Sequence, residues 1–93
     1  MNEVVWTQRA LEHLEAIRAY IEKFNPRAAA HVAARLRDEG NGLVHFPHRG
    51  RTVPKTSFRE LVADYPYIIR YHIDGDKVVI LRIRHTSRRP TNP

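Results

Sequence analysis

Two stretches late in the chain, YPYIIRYHID and KVVILRIRH, constrain the fold more than anything else in it. In the first, Tyr67, Ile69, Tyr71 and Ile73 alternate with the more polar positions Arg70 and His72; in the second, Val79, Leu81 and Ile83 alternate with residues that end in Arg82 and Arg84. A side-chain period of two is the pattern of a half-buried strand. Joined by a short Asp and Gly segment, the two runs form an antiparallel hairpin with one face on a core and the other carrying arginines. Keeping odd positions opposite odd ones calls for a three-residue loop, Ile73, Asp74 and Gly75, with Gly75 in the left-handed conformation. The face away from the core then holds Arg70, Arg82 and Arg84, with His72.

The N-terminal half supplies the covering layer. EVVW, residues 3 to 6, reads as a short strand, and Thr7 as the N-cap of a helix running to about Phe24. Leu11, Leu14, Ile17, Ile21 and Phe24 recur every three or four residues and predict its buried stripe. Trp6, just before the cap, is placed to staple the first turn. Asn25 and Pro26 form an N-cap and a proline-started second helix, which buries Ala29, Val32, Ala33, Leu36 and Leu43 and ends between residues 40 and 45 because Gly40 and Gly42 weaken it. The small residues let the two helices pack closely as a hairpin. FPHRGRTVPKT then reads as a loop and FRELVAD as a strand. The order is βααβββ: an α+β fold, the helical hairpin packed on one face of an antiparallel sheet. A chain of 93 residues holds one modest core, so a single domain over 1–93 is expected.

Composition removes several chemistries. Without cysteine there is no disulfide framework and no thiolate zinc site. His45 and His48 flank a proline rather than sharing a helix face, and no carboxylate cluster completes a set with them or with His72 and His85. No metal and no cofactor are expected. A phosphate-binding glycine loop, a nucleophile elbow and a paired-carboxylate motif are absent. No segment approaches about 18 apolar residues, and the N-terminus lacks the apolar run of a signal peptide, which predicts a soluble, cytoplasmic protein with no membrane partner.

Sixteen Lys and Arg against ten Asp and Glu give a net charge of +6, so the partner is acidic, either nucleic acid or protein. Arginine supplies most of the excess, and its planar fork suits phosphate and carboxylate. The candidate binding surface is Arg82, Arg84, His85, Arg88 and Arg89, with Arg70 beside it. A sheet with helices on one side normally leaves its other face solvated. Repeated arginine, rather than a Lys, Glu and Thr mixture, sets this face apart. Ribonuclease chemistry would draw on His85, Glu60, Arg70 and Arg88 as acid, base and phosphorane-stabilising groups. Tyr65, Tyr67 and Tyr71 offer base-stacking surfaces, although the last two fall on the core face.

The βααβββ order, VVWTQRALEHLEAIRAYI, the Asn-Pro helix start, HFPHRGR and above all RELVADYPYIIRYHIDGDKVVILRIRHTSRRP resemble the ParE branch of the RelE/ParE toxin superfamily. The resemblance implies a toxin of a type II toxin-antitoxin pair, held inactive by a ParD-like antitoxin whose disordered, partly acidic segment wraps it. RelE-like members cleave messenger RNA on the ribosome; ParE-like members block DNA gyrase. Ile68 stands where a typical RelE has a catalytic arginine, Glu60 and Leu61 where it has lysines, and only Arg88 near another functional cation. The resemblance therefore implies a gyrase inhibitor without catalysis of its own and without sequence-specific nucleic-acid binding. The alternative is a ribosome-dependent ribonuclease using Glu60 and His85, and a third reading is a DNA-binding accessory protein. An antitoxin segment would find apolar walls at Leu11, Leu14 and Ile17.

Overall fold

Thr7 fixes how the chain starts. In the computed structural model, which describes residues 3–64 and 66–87, its hydroxyl accepts from Ala10 N at 3.1 Å and so caps α1, Gln8–Glu22. The same hydroxyl donates to Leu81 O at 3.1 Å, and Thr7 N donates to Ile80 O at 3.0 Å. One residue thus satisfies a free amide of the helix and locks the helix to the sheet. Asn25 caps α2, Pro26–Gly42, through Ala28 N, with Pro26 at its start as its fixed φ favours.

The strands are β1 (Glu3–Trp6), β2 (Arg51–Thr52), β3 (Phe58–Asp64), β4 (Tyr67–Asp74) and β5 (Lys77–His85). They form one sheet in the order β1-β5-β4-β3-β2, with β2 to β5 antiparallel and β1 added parallel to the first four residues of β5. The segment expected to be all loop contains β2, two residues paired to Glu60 and Arg59. Two residues carry no readable periodicity.

The β4-β5 hairpin closes differently from expectation. Asp74 pairs with Lys77, so the loop is the two residues Gly75 and Asp76, with Gly75 at φ 62°. A two-residue loop crosses the parities, pairing Ile73 with Val78 and Tyr71 with Ile80. Arg70 then pairs with Arg82, which leaves Leu81 as one extra residue on β5. This β-bulge restores odd-to-odd pairing for Ile69 with Ile83 and Tyr67 with His85. Val78 and Ile80 therefore face the helices before the bulge, and Ile83 after it. All three are buried.

The core joins these residues to Ile69, Tyr71 and Leu61 from the sheet, and to Ala10, Leu14, Ala33, Leu36 and Leu43 from the helical layer. Each fully buried aliphatic contributes about 1.5–3 kcal/mol. The stripe on α1 is shifted from the expected one: Ala10 is buried, whereas Leu11 is 46% exposed and Phe24, beyond the helix end, is 74% exposed. Ala10 is buried because Thr7 draws the first turn of α1 against β5. Trp6, packed against the core, also reaches α2. Its Nε1 donates to Asn41 Oδ1 at 2.8 Å, and its ring lies against Gly40. Gly40 is thus a packing residue. A Cβ there would meet Trp6 Cζ2 at 2.5 Å and Ile80 Cδ1 at 2.9 Å, whereas a Cβ at Gly42 would meet nothing within 4 Å.

The expected outcome is a split between two neighbouring glycines. Gly40→Ala lowers unfolding free energy by about 1–3 kcal/mol through overpacking, while Gly42→Ala leaves it unchanged or raises it by up to about 1 kcal/mol. Urea unfolding of both variants checks this; equal effects would refute the packing role of Gly40.

Candidate functional site

The outer face of the sheet is built in rows across three strands. Glu60 of β3, Arg70 of β4 and Arg82 of β5 stand in register, and Val62, Ile68 and Arg84 form the next row. The expected outward placement of Arg70, Arg82 and Arg84 holds. These arginines are not simply a solvated basic surface, because Glu60, 7% exposed, sits among them. Arg70 Nη2 and Nε approach Glu60 Oε2 at 2.8 and 3.1 Å, and Arg84 Nη2 approaches Oε1 at 3.4 Å. Burial works against ionising Glu60, but the hydrogen bond from Arg70 and the charges of Arg84 and Arg70 outweigh it and hold the carboxyl below its usual range. Arg84 Nε is buried and has no hydrogen-bond partner among the described residues.

Arg82 is in a different position. Burial first, then the guanidiniums of Arg70, Arg9 and Arg84, weaken its hold on its proton, with Glu60 acting in the opposite direction. It borders a cleft of about 340 Å³ with Thr7, Arg9, Phe58, Arg70 and Leu81. Phe58 lies beneath Arg70, the guanidinium carbon 5.4 Å from the ring centroid, and meets His72 edge-on.

His85, although close in sequence, belongs to the other side. It pairs with Tyr67, whose ring it meets edge-on at 5.5 Å, and its Nδ1 lies 2.7 Å from Ser87 Oγ. Both rings line a second cleft, about 430 Å³, between α1 and the end of β5, together with His13, Ile17, Tyr20 and Ile83. There His13 Nδ1 accepts from Ile83 N at 3.1 Å. That amide lies on the edge of β5 past the point where β1 stops pairing. Burial, then Arg82 and Arg9, favour the neutral imidazole that this bond requires, against a smaller effect of Glu12.

The structure thus brings Arg70, Arg82 and Arg84 together on the outer face and turns His85 to the helix-facing side, where Arg84 also borders its cleft. Arg88 and Arg89 lie outside the described residues, as does Tyr65. Glu60 and His85, the acid and base candidates for ribonuclease chemistry, face opposite sides of the sheet. Ile68 is buried in register between Val62 and Arg84, so an aliphatic surface occupies its place in the row. Of the apolar walls expected for a partner, Leu14 is core and Leu11 is exposed, while Ile17 borders the α1-β5 cleft. Sequence reading missed Arg9, His13, Tyr20 and Phe58. His13, Ile17 and Tyr20 follow a helical spacing of four and three, which marks a shared face once the polar His13 is admitted to it. Tyr71 is fully buried: its hydroxyl donates to Pro47 O at 2.7 Å and accepts from Gly50 N at 2.9 Å. That binds it to the loop rather than to a base. Among the described residues, no three or more His, Cys, Asp or Glu gather as a metal site, and no helix is long and apolar enough to cross a membrane.

A family model described as the ParE toxin of the type II toxin-antitoxin system parDE matches residues 4–90. This chain is a ParE-family toxin. It is 49% identical over 88 residues to Toxin RelE2 of Caulobacter vibrioides, covering 95% of this chain and 99% of that protein. Toxin RelE1 of the same organism is 32% identical over 85 residues, covering 88% and 90%. A solved structure of the chromosomal ParDE TA system from P. aeruginosa aligns with TM-score 0.81 at 22% identity, over 91% of this chain and 96% of that one. The solution structure of HP0894 from Helicobacter pylori aligns with TM-score 0.58 at 16% identity, over 95% and 98%. At those identities the two structures show a shared fold. These two relatives of the toxin carry RelE names while its family model carries the ParE name, so membership gives the toxin class and leaves the target to be argued.

Glu60 is expected to be the electrostatic keystone of the toxin's outer face. Glu60→Ala leaves two partly buried guanidiniums without their counter-ion and lowers stability by about 3–5 kcal/mol. Because its folded pKa is depressed, the Glu60 contribution is fully present above its ordinary value of 4.5 and is lost as pH falls below it. Melting temperature followed from pH 7 to pH 3 should fall less steeply in Glu60→Gln than in the parent; parallel curves would exclude this role.

Proposed function

We propose that this toxin acts by binding DNA gyrase and trapping it on cleaved DNA in the cytoplasm, without a catalytic step of its own. The observation that carries the reading is the commitment of the outer face: Glu60 is held by Arg70 and Arg84, and the neighbouring row presents the buried aliphatic Ile68. A carboxylate held ionised between two guanidiniums is a poor general base, and an aliphatic side chain stabilises no phosphorane. Binding is assigned to Arg70, Arg82 and Arg84 on the outer face and to His85 on the helix-facing side; Arg88 and Arg89, outside the described residues, remain candidates from the sequence. Neutralisation falls to a ParD-like antitoxin, which supplies carboxylates to the arginines and apolar side chains to the α1-β5 cleft beside Ile17 and Tyr20.

The RelE names of the relatives favour a second reading, ribosome-dependent cleavage of messenger RNA. A supercoiling assay with purified gyrase separates the two. Expected are lost supercoiling and linearised plasmid on titration of the toxin, both abolished by the antitoxin. Arg84→Ala is expected to raise the inhibitory concentration by roughly 10-fold or more, the loss of one charge-assisted contact. Unaffected gyrase together with cut messenger RNA on translating ribosomes would replace the gyrase reading with the ribonuclease one.

A further inference from the structure

Past Ile80, the edge of β5 that β1 leaves uncovered is served by side chains of α1 and its cap. β1 pairs only with Lys77 to Ile80. Beyond that point the hydroxyl of Thr7 donates to Leu81 O at 3.1 Å, and Nδ1 of His13 accepts from Ile83 N at 3.1 Å. These two bonds hold the helix along the strand. The hydroxyl does not titrate near neutral pH, whereas the imidazole does.

The bond at Ile83 dictates the protonation state of its ring. A backbone N–H only donates, so Nδ1 must offer a lone pair and the proton of the neutral ring sits on Nε2. An imidazolium carries hydrogen on both nitrogens, which turns Nδ1 from acceptor into donor. It would face the Ile83 N–H with a like group, and the bond would be lost rather than weakened. Ile83 is buried in the core, where an amide left unpaired is costly.

The surroundings disfavour a charged ring. Arg9 lies one turn before His13 on α1, Glu12 directly precedes it, and Arg82 acts on it from β5. Burial, then Arg82 and Arg9, work against the charged form, and Glu12 works in the opposite direction. The ring also borders the cleft of about 430 Å³, whose other titratable groups are Tyr20 from α1, Tyr67 from β4, and Arg84 and His85 from β5. None of these is a carboxylate, and a protonated His85 would add to the positive charge.

We infer that His13 is a pH-sensitive latch between α1 and β5, closed while its ring is neutral and released when the ring takes a proton. Release leaves the anchor at Thr7 and the core packing of Leu14 in place, so the helix stays docked. The cleft wall formed by His13, Ile17 and Tyr20 loosens, and the Ile83 amide opens to exchange. Because the folded ring holds its proton less well than an ordinary imidazole, the latch's stabilisation is fully present above 6.5 and is lost as pH falls below that through the folded value. The consequence for an antitoxin rests on the reading of this cleft given above: a segment fitted to the closed cleft would bind less tightly in mild acid. The latch itself involves neither antitoxin nor gyrase and its test contains neither, so the two readings fail separately.

The test is amide hydrogen exchange of the full chain, followed by NMR and expressed as protection factors so that the intrinsic pH dependence of exchange cancels. Between about pH 7.5 and about pH 5, the protection of Ile83 is expected to fall by about 10-fold or more. The midpoint should lie below 6.5. The Thr7 amide, bonded to Ile80 O, should hold its protection over the same range. His13→Asn, whose side-chain oxygen accepts the same bond without titrating, should abolish the fall. His13→Ala should leave Ile83 poorly protected at both ends of the range, and His85→Gln should keep the fall. Nitrogen-15 shifts of the His13 ring in the parent chain need no variant: Nδ1 is expected to be unprotonated at about pH 7.5, and the ring to take its proton at the midpoint of the Ile83 change. The inference is overturned if Nδ1 carries the proton at the upper pH, if Ile83 stays protected after the ring is charged, or if the fall survives in His13→Asn or disappears in His85→Gln.

Discussion

The bulge at Leu81 is the constraint on which most of this molecule depends. β5 must bury Val78 and Ile80 near the hairpin turn and Ile83 farther along, positions that an uninterrupted strand would send to opposite faces. One extra residue resolves the conflict and leaves Arg82 and Arg84 pointing outward. It also leaves the carbonyl of Leu81 for the hydroxyl of Thr7, so the bulge is joined to the start of α1. Helix position, core composition and the charge row are then consequences of one local irregularity.

Much of this was legible in advance, for reasons that can be named. Both helices announce themselves through Thr7 and through Asn25 with Pro26, since capping is a matter of neighbouring residues. The outward set Arg70, Arg82 and Arg84 followed from alternation, and it survived a wrong loop because the bulge restored the parity that the two-residue turn had broken. What alternation could not give was cross-strand identity. That Glu60 lies opposite Arg70, and that His85 turns toward α1 rather than toward the arginines, depends on register and on the bulge. Leu11 and Phe24 fit the apolar period of α1 but not its actual contacts, which Ala10 and His13 make instead.

The sheet separates two kinds of chemistry. Its helix-facing side ends in a cleft of aromatic and histidine surface, where His13 occupies an edge amide of β5 that would otherwise be open to another strand. Its outer side concentrates guanidinium charge around a single carboxylate. A partner that engaged only one side would meet either a mixed slot of aromatic, aliphatic and histidine side chains or a cationic row, and one that wrapped the end of β5 would meet both. Family membership gives the toxin class, and the two faces differ in the side chains they present.

The parallel pairing of β1 with β5 also bears on how the chain comes to be folded as it is made. Thr7 and Leu81 are 74 positions apart, and β5 lies between β1 and β4 in the sheet. Until residues 77–85 have been synthesised, β1 has no neighbour, α1 has no strand to rest on, and the core lacks Val78, Ile80 and Ile83. Contacts of such long range slow folding. A partial chain therefore has two capped helices and an unfinished sheet, and the arginine row does not exist as a surface until β5 enters between β1 and β4.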